Sequence, residues 1–260
     1  MINKVFLIGL LFASVFIAPP PVVAQDTIVV TGSRAQRSFN NGGGGANPAV
    51  YVKKRASTVQ FAARIFSNTL DRRSRNDELI AAVEKLYNRA DRKDGLELFS
   101  IAGGADDYQS FDSGNGFYKG RDRFDRNEIS SLIVEESFEN NSTDEYAYIA
   151  VAYLSFEVTV KDDDALDGIR QSLDNMIESV LAGSRSQAVL SSASAVSVSN
   201  VQDSLGELRT KVIADAQSLA EVMGPETKYT ISGLHAGVQW RQTKPLEFIL
   251  YLPTSYSFSK

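Results

Sequence analysis

The sequence predicts an α+β fold: a ferredoxin-like split βαβ sheet with helices on one face, plus an extra C-terminal helix and strands. Three observations lead there. Residues 57–199 read as strand-helix-strand, a further strand or strands, then strand-helix-strand again. The strand segments alternate with period two, whereas the helical segments repeat apolar residues with period 3.6. A third amphipathic helix and two closing strands follow, and nothing in the pattern demands a second core.

The chain opens on a leader. Lys4 is the only charge among the first 24 residues, Val5–Ala18 is mostly apolar, and Pro19-Pro20-Pro21 and Val22-Val23-Ala24 follow. That order of segments is the pattern of a secretory signal peptide, with cleavage expected after Ala24. The apolar run is short of the roughly 20 residues that span a bilayer. Residues 1–24 are therefore read as a signal peptide, and 25–260 as a single domain with no transmembrane segment. Within it, the run Asn40–Gly45 marks residues 35–55 as flexible and glycine-rich.

The patterned elements come next. Val59, Phe61, Ala63 and Ile65 alternate with Thr58, Gln60, Ala62 and Arg64, which predicts a half-buried strand. Arg72-Arg73-Ser74-Arg75 reads as a solvated basic turn. After it Leu79, Val83, Leu86 and Ala90 recur at helical spacing, with Asn76 and Asp77 as capping candidates. A turn at Asp94-Gly95 leads into the strand Leu96–Phe99. Ala102–Glu128 is polar, glycine-containing and long, and reads as a functional or mobile loop inside an insertion spanning 102–145. It also carries Tyr108, Phe111, Phe117, Tyr118 and Phe124, which gain by burial either on the protein's own sheet or at an interface. Ile129–Phe138 is a strand candidate. Ala152, Leu154, Phe156, Val158 and Val160 then share one face of a long strand.

Asp162-Asp163-Asp164 suits a helix N-terminus, and Leu166, Ile169, Leu173, Met176, Ile177 and Val180 form the stripe of that helix, closed by Gly183. The serine-rich stretch Ser184–Ser204 reads as a linker or a strand. The third helix carries Leu205, Leu208, Val212, Ala216, Leu219 and Met223 up to Gly224-Pro225. Strands at Lys228–Ser232 and Leu246–Leu252 close the chain.

Composition excludes several chemistries. There is no cysteine, hence no disulfide, thiolate ligand or Cys nucleophile, and the single histidine rules out a multi-histidine metal site. The formal net charge of −5 argues against nucleic acid as the main partner. His235, in a loop between Gly233 and Gly237, has no nucleophile or orienting acid spaced to serve it. Asp162–Asp164 with Asp167 lacks the spacing of a calcium loop. Gly114-Asn115-Gly116 with Gly120 lacks the strand and helix of a dinucleotide fingerprint. Lys119–Arg126 mixes basic and aromatic residues, but its acids cancel much of the charge, so it reads as a solvated loop. Trp240 reads as packing at a strand end.

Two segments carry a family resemblance. Thr27-Ile28-Val29-Val30-Thr31-Gly32 follows the leader as an opening strand, and Ala214–Gly224 is an alanine-spaced helix ending in glycine, followed by Tyr229-Thr230-Ile231-Ser232. Together with the strand-helix pairs at 57–90 and 150–181, these blocks resemble the SIMPL-domain proteins of bacterial periplasms. The glycine run and the 102–145 insertion depart from that pattern. The resemblance implies a periplasmic protein of a Gram-negative bacterium. It implies a structural or interaction role linked to stress tolerance, no catalytic site and no cofactor, and a partner that is either a further copy of the chain or another envelope protein. Asp26–Arg34 is also similar to the segment near the N-terminus of TonB-dependent outer-membrane receptors, which pairs as an added strand with an energy-transducing partner. On the first resemblance this segment is the opening strand of the sheet; on the second it is an exposed docking strand, with Ile28, Val29, Val30, Thr31 and Gly32 as the candidate partner-binding residues.

Overall fold

The computed structural model describes residues 28–31, 48–112, 121–140 and 145–260. The expectations for the leader, Gly32, residues 35–47 and Gly114–Gly120 fall outside the described residues. The chain runs β1 (Ile28–Thr31), β2 (Val52–Arg55), β3 (Thr58–Ser67), α1 (Arg72–Asp91), β4 (Leu96–Ile101) and α2 (Gly104–Asp112). There follow β5 (Arg121–Asp122), a 3-10 helix (Arg126–Leu132), β6 (Val134–Asn140), β7 (Glu145–Thr159), α3 (Leu166–Leu181), β8 (Gln187–Leu190) and β9 (Ala195–Val198). The chain closes with α4 (Asp203–Met223), β10 (Lys228–Ser232), β11 (Gln239–Lys244), β12 (Glu247–Tyr251) and β13 (Ser255–Ser259).

The fold is α+β. The main sheet has the order β1-β9-β3-β7-β4-β5, with β6 also on β7 and β8 also on β3. Its middle four strands, β9, β3, β7 and β4, are the fourth, first, third and second of a split βαβ unit, which is the ferredoxin-like arrangement the alternating pattern predicts. β3 and β7 pair antiparallel along all of β3, from Thr58 opposite Thr159 to Ser67 opposite Ala150. Phe61, Ile65, Leu154 and Phe156 point to one face, where they join Leu79 and Leu86 of α1 and Leu173 and Ile177 of α3 in one apolar cluster.

The opposite face is covered as well. Ala62, Val151, Tyr153 and Ile101 cluster there with Tyr108 of the short helix α2. β3 is thus buried on both sides, with Gln60 only 7% exposed, and not half-buried as its polar alternate residues suggested. Much of the expected loop 102–128 is therefore structured. α2 lies on the sheet, and Asp125 caps the 3-10 helix by accepting from the Asn127 and Glu128 amides while Glu128 reaches back to the Asp125 amide. Tyr108 and Phe124 are both buried on the protein's own body. The strand expected at 129–138 starts later, at Val134, because the 3-10 helix occupies the preceding residues.

Other boundaries also shift. α1 starts at Arg72, not after Asn76 or Asp77, because Asp71 caps it by accepting from the Ser74 amide at 2.7 Å. The basic turn is the helix's first turn. Arg75 is buried there and donates to the Thr69 carbonyl at 2.9 Å and to Glu135 at 3.2 Å. Asp162–Asp164 does not cap α3, whose N-cap is Ala165; Asp164 accepts from the Lys161 amide in the preceding turn. Ser184–Ser204 forms two short strands, both paired to β3. Val52–Arg55, inside the segment expected to be flexible, is a strand paired with β12.

The C-terminal elements extend the same apolar cluster. β11-β12-β2 form a three-stranded sheet and β10-β13 a two-stranded one. Phe248 and Leu250 of β12 and Leu208 of α4 belong to the cluster that holds Phe61 and Leu79. In α4 the buried row is Ser204, Leu208, Val212, Ala216 and Ala220, while Leu219 is 42% and Met223 52% exposed. The expected stripe therefore fails in its last two turns. An i, i+4 row is inclined to the helix axis, so the buried face rotates from Leu205 towards Ala220 along the helix.

Candidate functional site

Two features can meet a partner or ligand: the edges of the main sheet and its second face. The edges come first. β1 pairs antiparallel with β9, from Ile28 opposite Val198 to Thr31 opposite Ala195. Four of the five candidate partner-binding residues, Ile28, Val29, Val30 and Thr31, are thus brought together as a terminal strand; Gly32 lies outside the described residues. Among the described residues, β1 has a strand on one side only. A four-residue strand of β-branched, uncharged residues with backbone groups on its outer side is a template for strand addition.

At the other side the two-residue β5 ends the sheet, next to β4. β4 pairs with β7 along Leu96–Ser100, but β5 meets it only at Ser100 and Ile101. The Thr159 amide donates to the Gly95 carbonyl at 2.7 Å. Alternation in an antiparallel ladder then sends the amide and carbonyl of Glu97 and Phe99 towards β7 and those of Leu98 outwards. Beyond β5 the chain diverges from β4, and a cleft of about 620 Å³ opens between Leu96–Phe99 and Arg123–Phe124. Tyr87 and Phe124 form one wall, with ring centroids 5.5 Å apart. On the other wall Arg123 lies over the Phe99 ring at 5.4 Å and donates to Glu97 at 2.7 Å.

The second face is ionic where α2 does not cover it. Gln60 donates to Glu157 at 2.7 Å, and Arg121 pairs with the same carboxylate while lying 4.3 Å from the Phe99 ring centroid. One strand-length away, Arg64 donates to Glu136 at 2.9 Å and the Tyr153 hydroxyl donates to the other oxygen of Glu136. Burial, and then the neighbouring Glu136 carboxylate, hold the Tyr153 hydroxyl well above its ordinary 10.0, so it stays a proton donor. Between these clusters the Ser155 hydroxyl is buried with no hydrogen-bond partner among the described residues. Each side chain bonds a different strand: β3 to β7, β5 to β7, β3 to β6. These are cross-strand ties, and they make no nucleophile-base pair.

The arginines of the expected solvated loop take part in such ties: Arg121 with Glu157, Arg123 with Glu97, and Arg126 with Glu84. Sequence reasoning missed them because each carboxylate lies on a distant element. The signal available was parity, since Gln60 and Arg64 share one face of β3 and Tyr153, Ser155 and Glu157 one face of β7. His235 is exposed in the turn after β10. Trp240 packs edge-on to Phe248 with centroids 6.0 Å apart, within β11. Among the described residues no group of three or more His, Cys, Asp or Glu side chains is placed to hold a metal ion, and no helix is long and apolar enough to cross a membrane. No protein-family model matches the chain, and no curated protein matches it.

Proposed function

We propose that this chain is an exported structural or interaction protein of the bacterial envelope, built like the SIMPL-domain proteins, whose working surface is a sheet edge. The observation that carries the reading is β1: four uncharged residues, three of them β-branched aliphatics, tied to β9 on one side only among the described residues. Such an edge binds by completing its ladder with another strand, which needs no catalytic group. The reading assigns the chain no reaction and no cofactor. Its partner is a further copy of the chain or another envelope protein, and its compartment is the Gram-negative periplasm reached by way of the leader.

Light scattering on the mature chain, with and without residues 26–34, tests the reading. The intact chain is expected to be larger than a monomer and the truncated chain monomeric and folded. A monomer at high concentration removes the self-assembly form of the proposal. N-terminal sequencing of protein from the envelope is expected to begin at Gln25; a chain that keeps Met1 removes the leader. A second reading rests on the same strand. An adaptor docking a TonB-type partner through residues 26–34 would use the outer edge of β1, because β9 occupies the inner one. A monomer that binds such a partner, and loses it on the same truncation, favours that reading.

A further inference from the structure

We propose that β1 pairs antiparallel with β1 of a second copy in one register, centred on Val30, so that two main sheets join across a two-fold axis. This rests on the reading of β1 as the working edge and names its partner strand and register. Among the described residues no strand lies beyond β1, and the backbone decides which groups it offers there. The Ser191 amide donates to the Ala62 carbonyl at 2.8 Å, so Ala62 turns its backbone groups away from β7. β3 keeps one register against β7 along its length, so alternation turns Gln60 and Thr58 the same way, towards Ala195 and Ser197 of β9. The Ser197 carbonyl accepts on that side, from the Ser57 amide at 2.7 Å. Val196 and Val198 are then the residues of β9 that bond β1, and they stand opposite Val30 and Ile28. Val29 and Thr31 are left with amide and carbonyl directed outwards.

This parity selects the register. Two like edges bond only where an outward residue stands opposite an outward residue. Pairing Ile28 with Thr31 of the second copy overlaps all of β1 but sets outward groups against inward ones, and is excluded. Centring on Val29 or on Thr31 forms a single hydrogen-bonded pair within β1, that of the central residue with its own copy. Centring on Val30 forms a pair on each side of the axis, Val29 with Thr31 of the second copy and Thr31 with its Val29, and each pair exchanges both main-chain bonds. The charges in the sequence agree. Asp26 and Arg34, outside the described residues, are the charges that flank this uncharged run, and they stand equally far before and after Val30. In the Val30 register the acidic end of one run meets the basic end of the other, at both ends; the other registers slide these charges past one another. A foreign strand would have to supply that mirrored pattern, whereas a second copy carries it.

The chain has no cysteine, so single cysteines in the mature protein report the register. Val30→Cys is expected to give a disulfide-linked dimer under mild oxidation, because a non-hydrogen-bonded pair brings its Cα atoms to about 4.5 Å. Val29→Cys and Thr31→Cys are each expected to stay unlinked alone, since each residue's own copy lies diagonally across the ladder at about 7–8 Å. Mixed together, those two variants are expected to link to each other. Arg34→Asp is expected to weaken dimer formation about tenfold in analytical ultracentrifugation, and Asp26→Arg combined with Arg34→Asp to restore it. Linkage at Val29→Cys or Thr31→Cys alone in place of Val30→Cys, or full dimer formation by Arg34→Asp, would overturn this register. The reading of β1 as the working edge survives that result as long as deleting residues 26–34 still lowers the mass, so the two failures are distinguishable. A wild-type chain that stays monomeric at high concentration overturns the self-pairing outright, and if it then binds a TonB-type partner the edge belongs to that partner.

Discussion

Arg75 stands in the first turn of α1 with its guanidinium inside the protein, 5% exposed, shared between Glu135 and the carbonyls of Thr69 and Leu70. Glu135 also holds Arg72 at 2.9 Å, so one carboxylate of β6 anchors the start of the helix. Removing one partner of a buried pair strands the other charge. Glu135→Ala is expected to destabilise the fold by about 3 kcal/mol, read by urea denaturation. The double variant Arg75→Met with Glu135→Leu is expected to recover most of that loss. Tyr256 makes a pH prediction. Burial, and then the hydrogen bond and charge of Asp215, push its hydroxyl from 10.0 up to about 12. The folded state therefore keeps this proton where the unfolded state releases it. The stabilisation is whole below pH 10 and is lost as pH rises from 10 towards 12. Tyr256→Phe, which cannot ionise, is expected to show a shallower fall in melting temperature across that window; an identical slope would remove the assignment.

At the scale of elements, α4 shows how packing chooses among apolar residues. Leu208 is fully buried in the apolar cluster that also holds Phe248 and Leu250, while Leu219 lies on the solvent side. Leu208→Ala is expected to cost roughly 2–5 kcal/mol by leaving a cavity, and Leu219→Ala under about 0.5 kcal/mol; equal effects would mean that the helix is turned. α2 teaches the same lesson. Its sequence, Gly104–Asp112, is short and polar, with a helix tendency too weak to stand alone. It forms because Tyr108 can lie 5.3 Å from Tyr153 on the second face of the sheet. Periodicity along nine residues cannot reveal a docking surface supplied by β3 and β7, so the stretch read as loop. The 3-10 helix, by contrast, has a local cause, the capping box of Asp125 and Glu128, whose three-residue spacing is legible in the sequence.

At the scale of the whole molecule, the described parts of the insertion between β4 and β7 belong to the body. Tyr108 and Phe124 are both buried, and Arg121, Arg123 and Arg126 reach back to β7, β4 and α1. Deleting residues 103–127 behind a short glycine linker is therefore expected to lower the melting temperature with no change in native mass. A smaller mass with an unchanged melting temperature would place those aromatics at an interface instead. The sheet order β1-β9-β3-β7-β4-β5 leaves β1 and β5 at opposite ends.

The sequence by itself determined the α+β class, the split βαβ order and the two long helices of the first face. Period-two and period-3.6 patterns are local, and Phe61, Leu154, Leu79 and Leu173 carry them whatever the partner strand is. It also determined that no cysteine chemistry is available. Only the tertiary structure decided that β3 is covered on both faces, that Val52–Arg55 is a strand, and that the arginines after β5 are tied to β7, β4 and α1. Each of these depends on residues brought together from far apart in the chain, such as Arg64 with Glu136 or Phe248 with Lys54. A strand edge is free or paired according to what the rest of the chain places beside it, and no local pattern records that.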